Sequence, residues 1–185
     1  MTTPSDADLV RKLITRTLLS LAFVGLLLFL AAGRLNWLEA WVYLGLMAAV
    51  SIAVGLWLLR SDPGLLEERL RPVIQRDQKP WDKGLMVVLL LLWSSWLVLT
   101  GLDAGRYHWS TVPLAGQLIG AAMLCAGVYG ILLVALENSY AGPVVRIQKE
   151  RGHKVVTTGP YAYVRHPMYA AALLFVFGAP LPLGS

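Results

Sequence analysis

The stretch TLLSLAFVGLLLFLAAG, residues 17–33, contains no Asp, Glu, Lys or Arg. A helix of this length is about what is needed to cross a hydrocarbon core of roughly 30 Å. The basic residues Arg11, Lys12 and Arg16 just before it would also suit a cleaved signal peptide. The run is long for a signal sequence, however, and a short link leads directly into the next apolar run. The stretch therefore predicts a first membrane span.

Four further uncharged runs follow the first, and apolar residues make up 57% of the chain. This composition, with a mean hydropathy of +0.61, is typical of an integral membrane protein. We predict an all-α, polytopic helical bundle of about five transmembrane segments within one integral membrane domain, residues 1–185. The predicted spans are residues 15–33, 38–59, 84–102, 112–136 and 167–184.

Most basic residues lie on alternate links, and therefore on one side of this topology. Of the sixteen Lys and Arg residues, three lie before the uncharged run 17–33 and eleven lie in the links 60–83 and 137–166, which makes fourteen. The positive-inside rule then predicts that the N-terminus and both of these links are cytoplasmic. The net charge of +5 is explained by topology, so no nucleic-acid partner is expected.

Two smaller patterns concern packing and the first basic link. Gly116 and Gly120 form a GxxxG pattern, which favours close helix contacts in lipid. In the link 60–83, Asp62 and Pro63 have the chemistry of a helix N-cap and first turn, and the apolar residues that follow are Leu65, Leu66, Leu70 and Val73. That segment is either a short amphipathic helix on the membrane surface or a solvated loop.

Reactive side chains are few. The single cysteine, Cys125, lies in the middle of a predicted span and is expected to be a small buried residue. His108, His153 and His166 have no second set of ligands at a metal-binding spacing, so no metal is expected.

Polar residues concentrate in the segment GPYAYVRHPMYA, residues 159–170, where the last basic link enters the fifth apolar run. This segment is called the motif. His166-Pro167 opens a helix whose free N–H groups and positive dipole end suit an anionic group. Tyrosine rings nearby suit a flat base or a cation. A ligand with an adenine, a carboxylate and a sulfonium would match these elements. An interfacial belt of tyrosines with Arg165 reaching lipid phosphate explains the same residues.

The stretch HKVVTTGPYAYVRHPMY, with RIQ upstream, resembles the isoprenylcysteine carboxyl methyltransferase family and the related membrane phospholipid methyltransferases. The resemblance is specific over about twenty-five residues and otherwise concerns hydropathy and topology. It implies a membrane methyltransferase that uses S-adenosyl-L-methionine, with the cofactor site in the cytoplasmic loop 137–166 and the helix entrance after it. The implied cofactor-binding residues are Gln148, His153, Lys154, Val155, Val156, Tyr161, His166, Pro167, Met168 and Tyr169.

The resemblance also suggests roles within this set. The backbone of Val155-Val156 would hold the adenine, and His166 with Tyr169 would face the amino-acid end and the ribose. Arg165 would contact lipid headgroups or stabilise the turn from the loop into the fifth span. Methyl transfer from an activated sulfonium needs mainly positioning and exclusion of water, so no catalytic residue is assigned.

The family's C-terminal portion, with an E-E-containing helix and a substrate-facing arginine, has no counterpart here, so the chain is expected to be C-terminally incomplete and its activity alone is in doubt. The acceptor implied is a lipophilic small molecule or prenylated group with a carboxylate, thiol or amine.

Two alternatives stay open: an NADPH-dependent reductase resembling membrane sterol reductases, which share an R-H-P-x-Y element, and a non-catalytic membrane protein that retains the motif.

Overall fold

The computed structural model describes residues 5–72, 74–75, 78–138, 140 and 155–185, and the secondary structure of these residues is helical, without a strand. The predicted all-α class is confirmed. The elements are α1 (Asp6–Ala32), α2 (Leu38–Ser61), α3 (Pro63–Arg69), α4 (Pro80–Thr100), a π-helical segment (Gly101–Tyr107) that continues α4, α5 (Leu114–Glu137), a 3₁₀ turn (Gly159–Ala162), α6 (Pro167–Gly178) and α7 (Pro180–Leu183).

Four helices among the described residues are long and apolar enough to cross a membrane, with Pro80–Tyr107 counted as one. Large apolar side chains such as Leu30 (68% exposed) and Leu118 (62% exposed) cover their outer surfaces. Helices that are apolar on all sides and outwardly exposed belong in lipid. The fifth predicted span is a shorter apolar unit, Pro167–Leu183. The chain is therefore described as an integral membrane protein.

The helices extend beyond the predicted spans at several ends because the predictions followed only the uncharged runs. Helix α1 begins nine residues before the predicted start at 15, with the Ser5 hydroxyl accepting a hydrogen bond of 3.2 Å from the Asp8 N–H. Arg11 and Asp8 form an exposed ion pair of 3.1 Å on its first turns. Charged residues thus continue the helix outside the apolar region.

Consecutive long helices run antiparallel, which gives the bundle two distinct ends. The first end, called the motif end, holds the start of α1, α3, the end of α5 and the start of α6; there Leu9, Leu58, Leu65, Leu66 and Ala135 form one buried cluster. The opposite end holds Gly105 against Ala32 and Trp37, and there the Ser185 hydroxyl donates a 2.6 Å hydrogen bond to Asp103. Among the described residues, the start of α1 and the flanking ends of the links 60–83 and 137–166 lie at the motif end.

The short helix α3 forms where the Asp62-Pro63 signal predicted it, with the Asp62 carboxylate accepting a 2.9 Å hydrogen bond from the Leu65 N–H. Its apolar residues do not lie on the membrane surface, which was one of the two predicted alternatives. Leu65 and Leu66 are 0% and 2% exposed because they pack against α1, α2 and α5. Helix α3 therefore closes the bundle at the motif end.

Glycines bring α5 and α6 together as a tight hairpin. A Cβ on Gly127 would lie 2.8 Å from the Phe175 nitrogen and 2.9 Å from the Ala171 carbonyl oxygen, and a Cβ on Gly120 would lie 2.4 Å from Leu181 Cβ. Such short distances mean that the helix backbones are nearly in contact. The Gly120 part of the predicted GxxxG pattern is confirmed as a packing surface, whereas the atoms nearest to a Cβ on Gly116 belong to the neighbouring Val112 and Pro113.

Candidate functional site

A cleft of about 210 Å³ lies at the motif end, where α5 ends, the 3₁₀ turn follows and α6 begins. The hairpin of α5 and α6 fixes the two helix ends beside each other, so the cleft forms between residues far apart in sequence. Its lining residues are Asn138, Tyr161, Arg165, His166, Pro167, Met168 and Tyr169.

Two consecutive residues at the end of α5 hold the 3₁₀ turn. The Asn138 side-chain amide donates a 2.7 Å hydrogen bond to the Tyr161 phenolic oxygen. The Thr158 hydroxyl donates a hydrogen bond to the Glu137 carboxylate. Hydrogen bonds to a charged acceptor are stronger than those between neutral groups. These two hydrogen bonds hold the start of the motif against the end of α5 and place Tyr161 at the cleft.

The turn itself depends on Gly159. Its φ of +57° is a left-handed conformation that side chains rarely adopt, and a Cβ at this position would lie 2.8 Å from Glu137 Oε2. Pro160 follows as the second residue of the turn, and its carbonyl oxygen accepts hydrogen bonds from the Tyr163 and Val164 N–H groups at 3.2 and 3.1 Å. Gly-Pro therefore sets a turn that leads the chain back toward α6.

The rings of His166 and Tyr169 stack on each other at the start of α6. Their rings are 5.3 Å apart between centroids and 21° from parallel. Tyr169 is 64% exposed, and Pro167 fixes the first helical position. No described side chain caps this helix start, and the N–H of Met168 has no acceptor among the described residues. A flat ring and a free donor thus lie side by side in the cleft.

The electrostatic character of the cleft is cationic. Arg165 lines it and forms no ion pair with any described residue. The positive end of the α6 dipole points toward the same space. An anionic group such as a carboxylate is the complementary ligand for this arrangement.

The structure brings together half of the predicted cofactor-binding set, since Tyr161, His166, Pro167, Met168 and Tyr169 all line the cleft. Val155 is 89% exposed and Val156 is half-buried, and neither lines it. Gln148, His153 and Lys154 lie outside the described residues. The role of each member as a cofactor ligand stays a prediction.

Sequence reasoning did not assign Asn138 to the site, and it gave Arg165 a lipid-facing or bracing role while leaving a substrate role open. Both line the cleft. For Asn138 the available signal was its position directly after Glu137, where a long uncharged run stops. For Arg165 the signal was its place between Tyr163 and His166, inside the motif itself.

The described part of the cleft suits part of an S-adenosyl-L-methionine molecule. It supplies the stacked rings of His166 and Tyr169, and for a carboxylate it supplies the free backbone N–H of Met168 and the Arg165 guanidinium. Its 210 Å³ is below the roughly 300–1,000 Å³ usual for a small-molecule site, so the described residues surround only a portion of such a ligand. Within the described residues, no group of three potential metal-ligating side chains occurs.

Comparison with known proteins gives one family match. Residues 115–185 match the family model described as phospholipid methyltransferase. The matched range runs from α5 through α7 and contains every residue that lines the cleft. No curated protein and no solved structure matches the chain. The match confirms the predicted relationship to the membrane methyltransferases.

Proposed function

We infer, from the match of residues 115–185 to the membrane methyltransferases, that this chain binds S-adenosyl-L-methionine at the motif end and transfers its methyl group to a lipophilic acceptor. The observation that carries the proposal is the cleft itself. Tyr161 and residues 165–169 converge with Asn138 at the end of α5 on one cationic, aromatic space.

The proposed arrangement assigns a separate task to each side of the cleft. Arg165 and the N–H groups at the start of α6 hold the carboxylate, because a fixed cation and helix N-terminus favour an anion. The rings of His166 and Tyr169 lie against the ribose or the sulfonium, where an aromatic face attracts positive charge. The Val155-Val156 backbone is proposed to hold the adenine.

The bound sulfonium supplies an activated methyl group, so the protein has to position the acceptor in line and keep water away. The hydrogen bond between Asn138 and Tyr161 serves this task by fixing the cleft wall. The acceptor is proposed to be lipid-like or of the prenylcysteine type, presenting a carboxylate, thiol or amine. The motif end and the N-terminus are proposed to face the cytoplasm, following the distribution of basic residues.

A thermal-stability titration of the full chain in detergent tests this function. A ligand that binds only the folded state raises the melting temperature with its concentration. S-adenosylhomocysteine is expected to do so, and NADPH is not. No shift with S-adenosylhomocysteine contradicts the methyltransferase proposal, and a shift with NADPH alone supports the reductase alternative.

A further inference from the structure

A second and larger space lies between the N-terminal helices and the α5–α6 hairpin. It measures about 830 Å³ and is lined mainly by apolar side chains of α1, α2 and α5. We call it the long groove. It follows α2 from Leu38 to Leu58, a helical distance of about 30 Å. That length equals the hydrocarbon thickness of a bilayer, so an extended alkyl chain fits along it.

Charged side chains line the long groove unequally. Arg16 and Arg69 are its basic lining residues among those described, and both belong to the motif end, on α1 and α3. Glu39 is its acidic counterpart and lies at the start of α2, at the opposite end. The groove is thus cationic at one end and anionic at the other, with an apolar wall between them.

Neither arginine has a counter-ion in the described structure. Arg16 and Arg69 form no ion pair there, and Arg69 Nε is buried without a hydrogen-bond partner. Glu68, next in sequence to Arg69, does not line the groove and pairs instead with Arg71 at 3.4 Å. Burial also lowers the pKa of the Arg69 guanidinium, which is the effect of desolvating a cation that lacks a partner.

We propose that the long groove binds a membrane lipid of net negative charge, with its alkyl chain along α2 and its phosphate between Arg16 and Arg69. Guanidinium groups bind phosphate through paired, charge-assisted hydrogen bonds. No described residue supplies such an acceptor to Arg69 Nε. Glu39 disfavours the reverse orientation, because it would repel a phosphate placed at the opposite end.

The charged residues of this site, Arg16, Glu39 and Arg69, lie outside the range that matches the family, whereas the α5 wall of the groove lies within it. The cleft and the two arginines lie at the same end of the bundle. The further step, that the bound lipid presents its headgroup to the methyl donor, rests on the proposed function. Lipid binding itself does not depend on it.

Cys125 provides a reporter inside the groove. It is the single cysteine of the chain, it is exposed, so the expectation that it is buried was wrong, and it lines the groove wall on α5. The experiment measures its rate of reaction with a small thiol reagent in the detergent-solubilised full chain. Lysophosphatidic acid and monoacylglycerol with the same oleoyl chain form a matched pair that differs in the phosphate.

Lysophosphatidic acid is expected to protect Cys125 at a concentration at least about tenfold lower than the monoacylglycerol, because only the former has a charged group for the arginines. Arg16→Gln with Arg69→Gln is expected to remove most of that difference. Arg11→Gln is the matched control, since Arg11 lies on the same helix but pairs with Asp8 outside the groove.

Equal protection by the two lipids in the native protein overturns the proposal, and this comparison requires no variant to fold. Loss of the difference in Arg11→Gln to the same extent as in the double variant overturns it as well. A melting-temperature rise with S-adenosylhomocysteine that persists without selective lipid protection refutes the groove proposal alone. Selective protection without that rise refutes the proposed function and leaves the lipid site standing.

Discussion

The Asn138 amide and the Tyr161 phenol meet at 2.7 Å although twenty-three residues separate them in sequence. Asn138 directly follows the membrane helix α5, and Tyr161 lies in the 3₁₀ turn that precedes α6. The contact therefore joins the two ends of the segment in which the cofactor site was predicted. It makes the geometry of the cleft depend on a residue outside the motif.

Asn138→Ala is expected to weaken binding of S-adenosylhomocysteine roughly fivefold, because a net hydrogen bond of about 1 kcal/mol no longer fixes Tyr161. Tyr161→Phe removes the same bond from the other side and is expected to have a similar effect. Equilibrium binding to both single variants and to the double variant measures the coupling. Fully additive losses would show that the two side chains act independently, contrary to this account.

Gly159→Ala is expected to lower the stability of the protein by about 1–2 kcal/mol, because the residue must hold a left-handed conformation. The added Cβ would also approach the Glu137 carboxylate within 2.8 Å. The measurement is the melting temperature of the full chain in detergent.

The matched control for this substitution is Gly84→Ala in α4, where a Cβ meets nothing within 4 Å. Alanine at an unhindered helical position is expected to stabilise by roughly 0.5–1 kcal/mol. The two substitutions should thus shift the melting temperature in opposite directions, and a shift of the same sign and size at both positions argues against the role given to the turn.

Gly127→Val is expected to separate α5 from α6 and destabilise the protein by about 1–3 kcal/mol, since an overpacked contact forces the backbones apart. Because α6 carries His166 and Tyr169, binding of S-adenosylhomocysteine should fall as well. Gly45→Val is the control, with open space around its Cβ. Retention of both stability and binding in Gly127→Val would be inconsistent with the tight hairpin.

His166→Ala is expected to weaken S-adenosylhomocysteine binding while leaving the melting temperature of the ligand-free protein nearly unchanged, because His166 is exposed. Tyr169→Phe keeps the ring that stacks on His166 at 5.3 Å and should retain most of the binding. Tyr169→Ala removes that ring and should resemble His166→Ala. Titration calorimetry on the three variants separates the contribution of the Tyr169 ring from that of its hydroxyl. Wild-type affinity in His166→Ala would exclude the start of α6 as the methyl-donor site.

Hydropathy predicted the helices well because lipid imposes a simple requirement: every backbone polar group in the apolar region must be paired within a helix. Their ends were less predictable, since caps such as Ser5 and charged turns such as that of Asp8 and Arg11 extend a helix beyond the uncharged run. The motif signalled the cleft through Tyr161 and residues 166–169. Asn138 was missed because its role depends on a contact made only after α5 and α6 pack together.

The position of α3 illustrates the same limit. Its N-cap is a local signal and was readable at Asp62. Whether Leu65 and Leu66 faced lipid or protein depended on Leu9, Leu58 and Ala135, which come from three other helices. The cytoplasmic side of the motif end and the identity of the acceptor stay predictions.

The central claim, that the methyl donor binds at the junction of the 3₁₀ turn and α6, is tested most directly by ultraviolet cross-linking of S-adenosylmethionine that carries a tritium-labelled methyl group. Cleavage of the cross-linked chain after Lys and Arg separates peptide 155–165 from peptide 166–185. The account predicts label in one or both of these peptides, competed by S-adenosylhomocysteine and reduced in His166→Ala. Competable label confined to any other segment would contradict it.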